Sequence, residues 1–138
     1  MTIRVFVLGV MLICSGAIQA ETYATLFTHS YHFKRPTLYN ENNWGLGFEH
    51  TLTDSWRAAA GIYRNSTRHD TVYVGGIYAP IRDYGFRVGA VLGLATGYNH
   101  SVVPLFFPTL SYEYRDVGVN IILVPSSVVG LQLKWKFD

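Results

Sequence analysis

The sequence contains a single cysteine, Cys14, in 138 residues. That excludes a disulfide scaffold and any cysteine-based metal centre. Charge is also scarce: Lys, Arg, Asp and Glu together make up 14% of the chain, and the net charge is +2. With no long Lys/Arg run, the electrostatic footprint of a nucleic-acid binder is missing. Five histidines are present, without metal-ligand spacing. Neither a metal nor an organic cofactor is expected. Beyond the first twenty residues no apolar stretch reaches the 18 or so residues of a membrane helix. Repeats, low-complexity segments and long amphipathic helical patterns are absent as well. What is abundant is apolar and aromatic surface, 49% and 15% of the residues. That is too much for a disordered chain and fits one folded domain.

The N-terminus has the form of an export signal. Arg4 supplies a positive start, Val5 to Ile13 is a nine-residue apolar core, and Ala17-Ile18-Gln19-Ala20 is a small-residue cleavage context. Ile13 stands where a lipidation signal at Cys14 wants a small residue. The expected division is a signal peptide over 1–20 and a folded domain over 21–138. A retained N-terminal anchor is the other reading.

Turn signals and alternating patterns divide the remainder into eight strands. They are Tyr23–Phe33, Asn43–Leu52, Ser55–Arg64, Thr71–Pro80, Tyr84–Ala95, Pro104–Tyr114, Val117–Val124 and Val128–Phe137. Each is of the length that a tilted strand needs to cross a bilayer. Short connections (Thr53-Asp54, Ile81-Arg82-Asp83, Arg115-Asp116) alternate with longer ones (34–42, 65–70, 96–103), and Pro125-Ser126-Ser127 is intermediate. Short turns on one side and long loops on the other are a habit of outer-membrane barrels.

The strands place bulk on one face. In the last, Val129, Leu131, Leu133, Trp135 and Phe137 alternate with Gly130, Gln132, Lys134 and Lys136. In the fifth, Phe86, Val88, Leu92 and Leu94 oppose Arg87, Gly89 and Gly93. An eight-stranded barrel is only just wide enough to be filled by side chains. The bulky face must therefore point outward, with lipid as its solvent, and closure pairs every backbone group as hydrocarbon demands. Trp44, Trp56, Tyr84 and Trp135 fit interfacial girdles. The expectation is an all-β, eight-stranded antiparallel transmembrane up-and-down β-barrel, a monomer of the bacterial outer membrane.

Inward positions sort along the barrel axis. Toward the short turns they are charged: Glu49, Arg57, Arg87, Glu113, Lys134 and Lys136, expected to pair as a polar plug. Toward the long loops they are small or apolar: Gly45, Gly47, Gly61, Gly93, Ala95, Ile122, Val124 and Gly130. That half either accepts an acyl chain or is filled by Tyr31, Tyr63 and loop side chains.

The run Pro104-Leu-Phe-Phe-Pro108 through Val117-Gly-Val-Asn-Ile-Ile-Leu-Val-Pro125 resembles two strands of the outer-membrane lipid A palmitoyltransferase (PagP) family. Tyr39-Asn40-Glu41 with Trp44-Gly45-Leu46-Gly47-Phe48, Thr28-His29, and Arg64-Asn65-Ser66 resemble further motifs of that family in the same order. The likeness runs from about Thr28 to Phe137. It implies an interior acyl pocket and transfer of an acyl chain from phospholipid to lipid A. It makes His29 and Ser66 the catalytic pair, with Asn65 where the family carries Asp. It makes Pro108 and Pro125 a lateral lipid gate, which agrees with the inability of proline to donate to a sheet ladder. It places the pocket floor at Gly75 to Ile77, with Ile77 on the family's glycine position.

By residue chemistry alone, His29 near the outer end of the first strand suits a general base. Ser66 in Asn-Ser-Thr-Arg-His also fits an ordinary turn, and His32 and His100 read as loop residues. Lys34, Arg35, Arg64 and Arg68 either meet lipid A phosphates or are solvated. Two function classes stand: a lipid-processing acyltransferase, or a non-enzymatic barrel that binds lipid or a surface partner.

Overall fold

The computed structural model describes residues 20–34, 38–98, 101–124 and 128–137. The strands are β1 (Thr22–His32), β2 (Asn42–Thr51), β3 (Trp56–Arg64), β4 (Asp70–Asp83), β5 (Phe86–Ala95), β6 (Val103–Tyr114), β7 (Val117–Val124) and β8 (Val128–Phe137). They form one closed antiparallel barrel in chain order, with β8 returning to pair with β1. The all-β, eight-stranded antiparallel architecture expected from the alternation is therefore found. Closure removes the free edge strands that could template pairing with another chain. Among the described residues no helix is long and apolar enough to cross a membrane. The expected signal peptide and Pro125 lie outside the described residues.

Strand ends agree with the sequence within a residue or so, apart from the β4–β5 connection. The Ile81-Arg82-Asp83 segment, expected as a turn, continues β4, and Arg82 pairs with Arg87. A register shift between Tyr78 and Ile81 absorbs Pro80, as proline in a sheet requires a bulge or an unpaired side. The turn is Tyr84-Gly85, whose φ values of 48° and 86° are both left-handed. Tight hairpins favour two left-handed residues because that backbone twist matches the flanking strands.

The barrel exterior is apolar over its whole circumference. Trp44, Leu46, Ile62, Val74, Ile81, Phe106, Leu133 and Phe137 are all exposed. The interior has two layers. At the end bearing the short turns, here the near end, Glu49, Arg57 and Lys134 are buried. Arg57 Nη1 lies 3.2 Å from Glu49 and also pairs with Glu113. Lys134 Nζ lies 3.1 Å from Glu49 and 2.7 Å from Glu113. Asn120 extends the layer by donating to Glu49 and to Gln132 Oε1, and accepts from Ser111 Oγ at 2.6 Å. Tyr23 lies beneath both cations, with its ring centroid 4.8 Å from the Arg57 guanidinium and 4.9 Å from Lys134 Nζ. Buried charges are tolerated only when mutually paired and hydrogen-bonded, and this cross-linked layer seals the barrel. Arg87, expected in the same plug, takes no part in its ion pairs.

The far half is filled in part as expected. Tyr31 points outward and is exposed. Tyr63 enters the lumen and packs there with Phe27 and Tyr73, Phe27 lying tilted 4.7 Å from Tyr63 and edge-on 5.6 Å from Tyr73. Gly47 and Gly61 make room for them: a Cβ on either would strike the Tyr73 hydroxyl.

Candidate functional site

A β-bulge decides which histidine enters the barrel. Phe27 pairs with Gln132 and faces in, but the register shifts at Thr28, so that His29 pairs with outward-facing Leu131. His29 is accordingly exposed, while Ser30 and His32 are buried. Ser30 Oγ donates to Asn43 Oδ1, and Asn43 Nδ2 donates to the Arg64 carbonyl at 2.8 Å. These bonds fix the far end of β1 against β2 and β3.

His32 Nε2 lies 3.0 Å from Ser66 Oγ. Its ring stacks on Tyr39 at 4.6 Å and 14°. Glu41 Oε1 accepts the His32 backbone N–H at 2.9 Å and stands 3.5 Å from its Nδ1. The hydrogen bond from the His32 amide, together with the nearby imidazole, holds the Glu41 carboxyl below the usual carboxylate range. A carboxylate can only accept. It therefore favours the tautomer with the proton on Nδ1, leaving Nε2 to accept from the serine hydroxyl. The Nδ1–Oε1 contact, at 3.5 Å, is too long for a hydrogen bond, and among the described residues Nδ1 has no other partner. Catalytic bonds of this kind often tighten only when substrate binds.

Asn65 is wholly buried, and both ends of its amide are occupied. Nδ2 donates to Thr71 Oγ1 at 3.0 Å and to the Gly97 carbonyl at 2.8 Å. Oδ1 accepts from the Thr67 amide at 2.9 Å, from Thr67 Oγ1 at 2.8 Å and from the His69 amide at 3.1 Å. An aspartate could not make the two donations. Asn65 thus anchors the loop carrying Ser66 to the neighbouring Gly97 loop. The Asn40 amide donates to the Ser66 carbonyl at 2.9 Å, tying the Glu41 segment to the same loop.

Ser66 and His29 both border an apolar cavity of about 150 Å³, walled by Phe27, Tyr63, Ile77, Leu105, Phe107, Ile122, Val124 and Gly130, with Gln132 and Glu49 at its plug end. Tyr63 and Tyr98 join hydroxyls over it. Ile77, expected at the pocket floor, lines the cavity. Gly75 pairs with Gly93 beside it, where a Cβ would strike the Leu92 backbone.

Pro108 lies in β6, paired with Ala90 of β5. On its other side, β6–β7 pairing begins only at Thr109–Ile122, although β6 starts at Val103 and β7 continues to Val124. Among the described residues, Leu123 and Val124 of β7 have no partner on β6. Leu105 and Phe107 on one side of this seam and Ile122 and Val124 on the other line the cavity just behind it. Of the external cations, Arg64 pairs with Asp70 at 2.9 Å and Lys34 is exposed. Arg35 and His100 lie outside the described residues.

The structure therefore joins Ser66 by a hydrogen bond to His32, beside Glu41, while His29 borders the same cavity as Ser66 without a hydrogen bond to it. His32 was legible in one respect: in Ser30-Tyr31-His32-Phe33 the polar residues fall on even numbers, whereas Tyr23, Thr25 and Phe27 set the inward phase on odd ones. That slip in phase is the bulge. A scan against protein-family models and a search of curated proteins find no match to this chain.

Proposed function

We propose that the chain is a bacterial outer-membrane barrel that moves an acyl group between lipid esters. Its near end faces the periplasm and its far end the outer leaflet. The apolar belt supports a lipid surround, since soluble monomers rarely expose apolar patches beyond a few hundred Å². The observation that carries the enzymatic reading is the hydrogen bond of 3.0 Å between His32 and Ser66, which borders a largely apolar cavity.

The chemistry needs no cofactor. His32 Nε2 takes the Ser66 proton as Oγ attacks the ester carbonyl of a phospholipid. The carbon–oxygen bond to the glycerol alkoxide breaks, and His32 returns the proton to that leaving oxygen. The acyl chain now sits on Ser66 with its tail in the cavity. An acceptor hydroxyl, on lipid A in the reading that the PagP resemblance favours, then gives its proton to His32 and attacks the acyl carbon; the bond from that carbon to Ser66 Oγ breaks, and His32 passes the proton to Oγ. Glu41 holds the imidazole tautomer and stabilises the imidazolium in both halves. The incompletely paired seam between β6 and β7 supports lateral access of lipid.

Cavity size bears on the chain transferred. A cavity of about 150 Å³ takes a benzene-sized guest, on the order of six carbons. Short to medium acyl chains fit, and a palmitoyl chain would have to leave much of its tail outside.

The test is mass spectrometry of lipid A from cells expressing the chain, beside His32→Ala, Ser66→Ala and His29→Ala variants. A new acyl group that is lost in the first two and kept in the third supports the reading. Lipid A unchanged in every strain, with the protein heat-modifiable in the outer membrane, would leave the non-enzymatic lipid-binding barrel.

A further inference from the structure

The plug at the near end balances two cations, Arg57 and Lys134, against two carboxylates, Glu49 and Glu113. Arg87 is left over. It faces inward from the first turn of β5, opposite Ser111. Its Nη2 is buried without a hydrogen-bond partner, and among the described residues it forms no ion pair. The residue directly opposite on β4 is a second arginine, Arg82. Arg82 has only a long, exposed pairing with Asp54, at 3.9 Å. Like charges directly opposite in a sheet are destabilising, and an unpaired buried donor is costly. Both costs vanish if an anion lies between the two guanidiniums. The geometry offers room for one. Arg82, Arg87, Gly85 and the acidic Asp83 and Glu113 border an open polar concavity at this mouth, lined by none of the residues of the apolar cavity.

We propose that Arg82 and Arg87 form an oxyanion site at the near mouth of the barrel, taking a phosphate group by forked guanidinium hydrogen bonds. Planar guanidiniums match the oxygens of a phosphate two at a time, which lysine cannot do. Glu113 borders the site, but its carboxylate is engaged by Arg57, Lys134 and the Tyr23 hydroxyl at 3.3 Å. It therefore limits affinity without filling the site. The phosphate has two available sources: the headgroup of an anionic phospholipid in the adjacent leaflet, or a free phosphate in solution.

Thermal unfolding of the refolded barrel tests this, in neutral detergent and in bilayers with and without phosphatidylglycerol. In neutral detergent, inorganic phosphate should raise the midpoint of the wild-type barrel, and chloride at equal ionic strength should not. Arg87→Gln should abolish the phosphate effect. It should also raise the midpoint in phosphate-free buffer, because it removes the charge facing Arg82. Arg82→Gln should do the same more weakly. A shift with phosphatidylglycerol bilayers but not with inorganic phosphate assigns the site to a lipid headgroup, and a shift with inorganic phosphate alone assigns it to the free ion. A wild-type barrel indifferent to both, or an Arg87→Gln barrel that responds as the wild type does, overturns the proposal. None of these readouts involves acyl transfer, so they stand or fall separately from the enzymatic reading.

Discussion

Ser66 and His32 are 34 positions apart in the chain, yet Oγ and Nε2 meet at 3.0 Å where β1 ends beside the loop after β3. The meeting depends on one extra residue, Thr28, which turns the inward phase of β1 from odd to even positions. Without it, His29 would face the lumen and His32 the surroundings.

His32→Ala and Ser66→Ala should each lower acyl transfer by at least ~10²-fold, the usual contribution of a positioned base. His29→Ala should leave it within about twofold, since His29 borders the cavity but makes no hydrogen bond to the serine. Initial rates of ester turnover by the refolded barrel check both. Equal losses in the His29 and His32 variants would refute the assignment.

Glu41 should make the far end of β1 sensitive to acid. Its carboxyl titrates below the ordinary 4.5 because the folded state stabilises the charged form. The stabilisation is therefore complete above 4.5 and is lost as the pH falls through the lower folded value. Hydrogen exchange at the His32 amide, corrected for intrinsic rate, should stay protected down to that range and then speed up. In Glu41→Gln the protection should be weaker at neutral pH and should no longer depend on acid.

Cavity volume should set acyl length. Ile77→Gly removes four carbons from the cavity wall, room for two or three methylenes. At about 0.8 kcal/mol per buried methylene, preference should move toward longer chains by roughly tens-fold. Gly130→Leu should act in the opposite direction. A Cβ there meets nothing closer than Ile122 at 3.9 Å, so the barrel should still fold while the cavity fills. Chain lengths of bound or transferred acyl groups, read by mass spectrometry, should bracket the wild type.

Pro108 lies just beyond the last β6–β7 pair, Thr109–Ile122. Replacing it with Ala restores a ladder donor. The seam should tighten, thermal stability should hold or rise, and labelling of the cavity by a membrane-borne acyl probe should fall. Unchanged labelling would place lipid access elsewhere.

The sequence by itself determined the closed barrel. Period-two alternation fixes which residues share a face, and bulk on one face with glycine on the other fixes which face is outside, because eight strands enclose too little space for the larger set. It also placed Glu49, Arg57, Arg87, Glu113, Lys134 and Lys136 inward at one end, where charges can be buried only in mutual contact; four of them form the paired layer, and Lys136 pairs instead with Glu21 and Asp116. Three things were left to the tertiary structure. The partner of Ser66 depended on a bulge, a single-residue shift in backbone pairing that leaves only a slip of phase in the sequence. The role of Asn65 depended on Thr71 and Gly97, contacts that exist only once neighbouring loops meet. The isolation of Arg87 depended on β4 continuing three residues past Pro80, which brings Arg82 opposite it and makes a local feature of the chain into a cross-strand clash of charge.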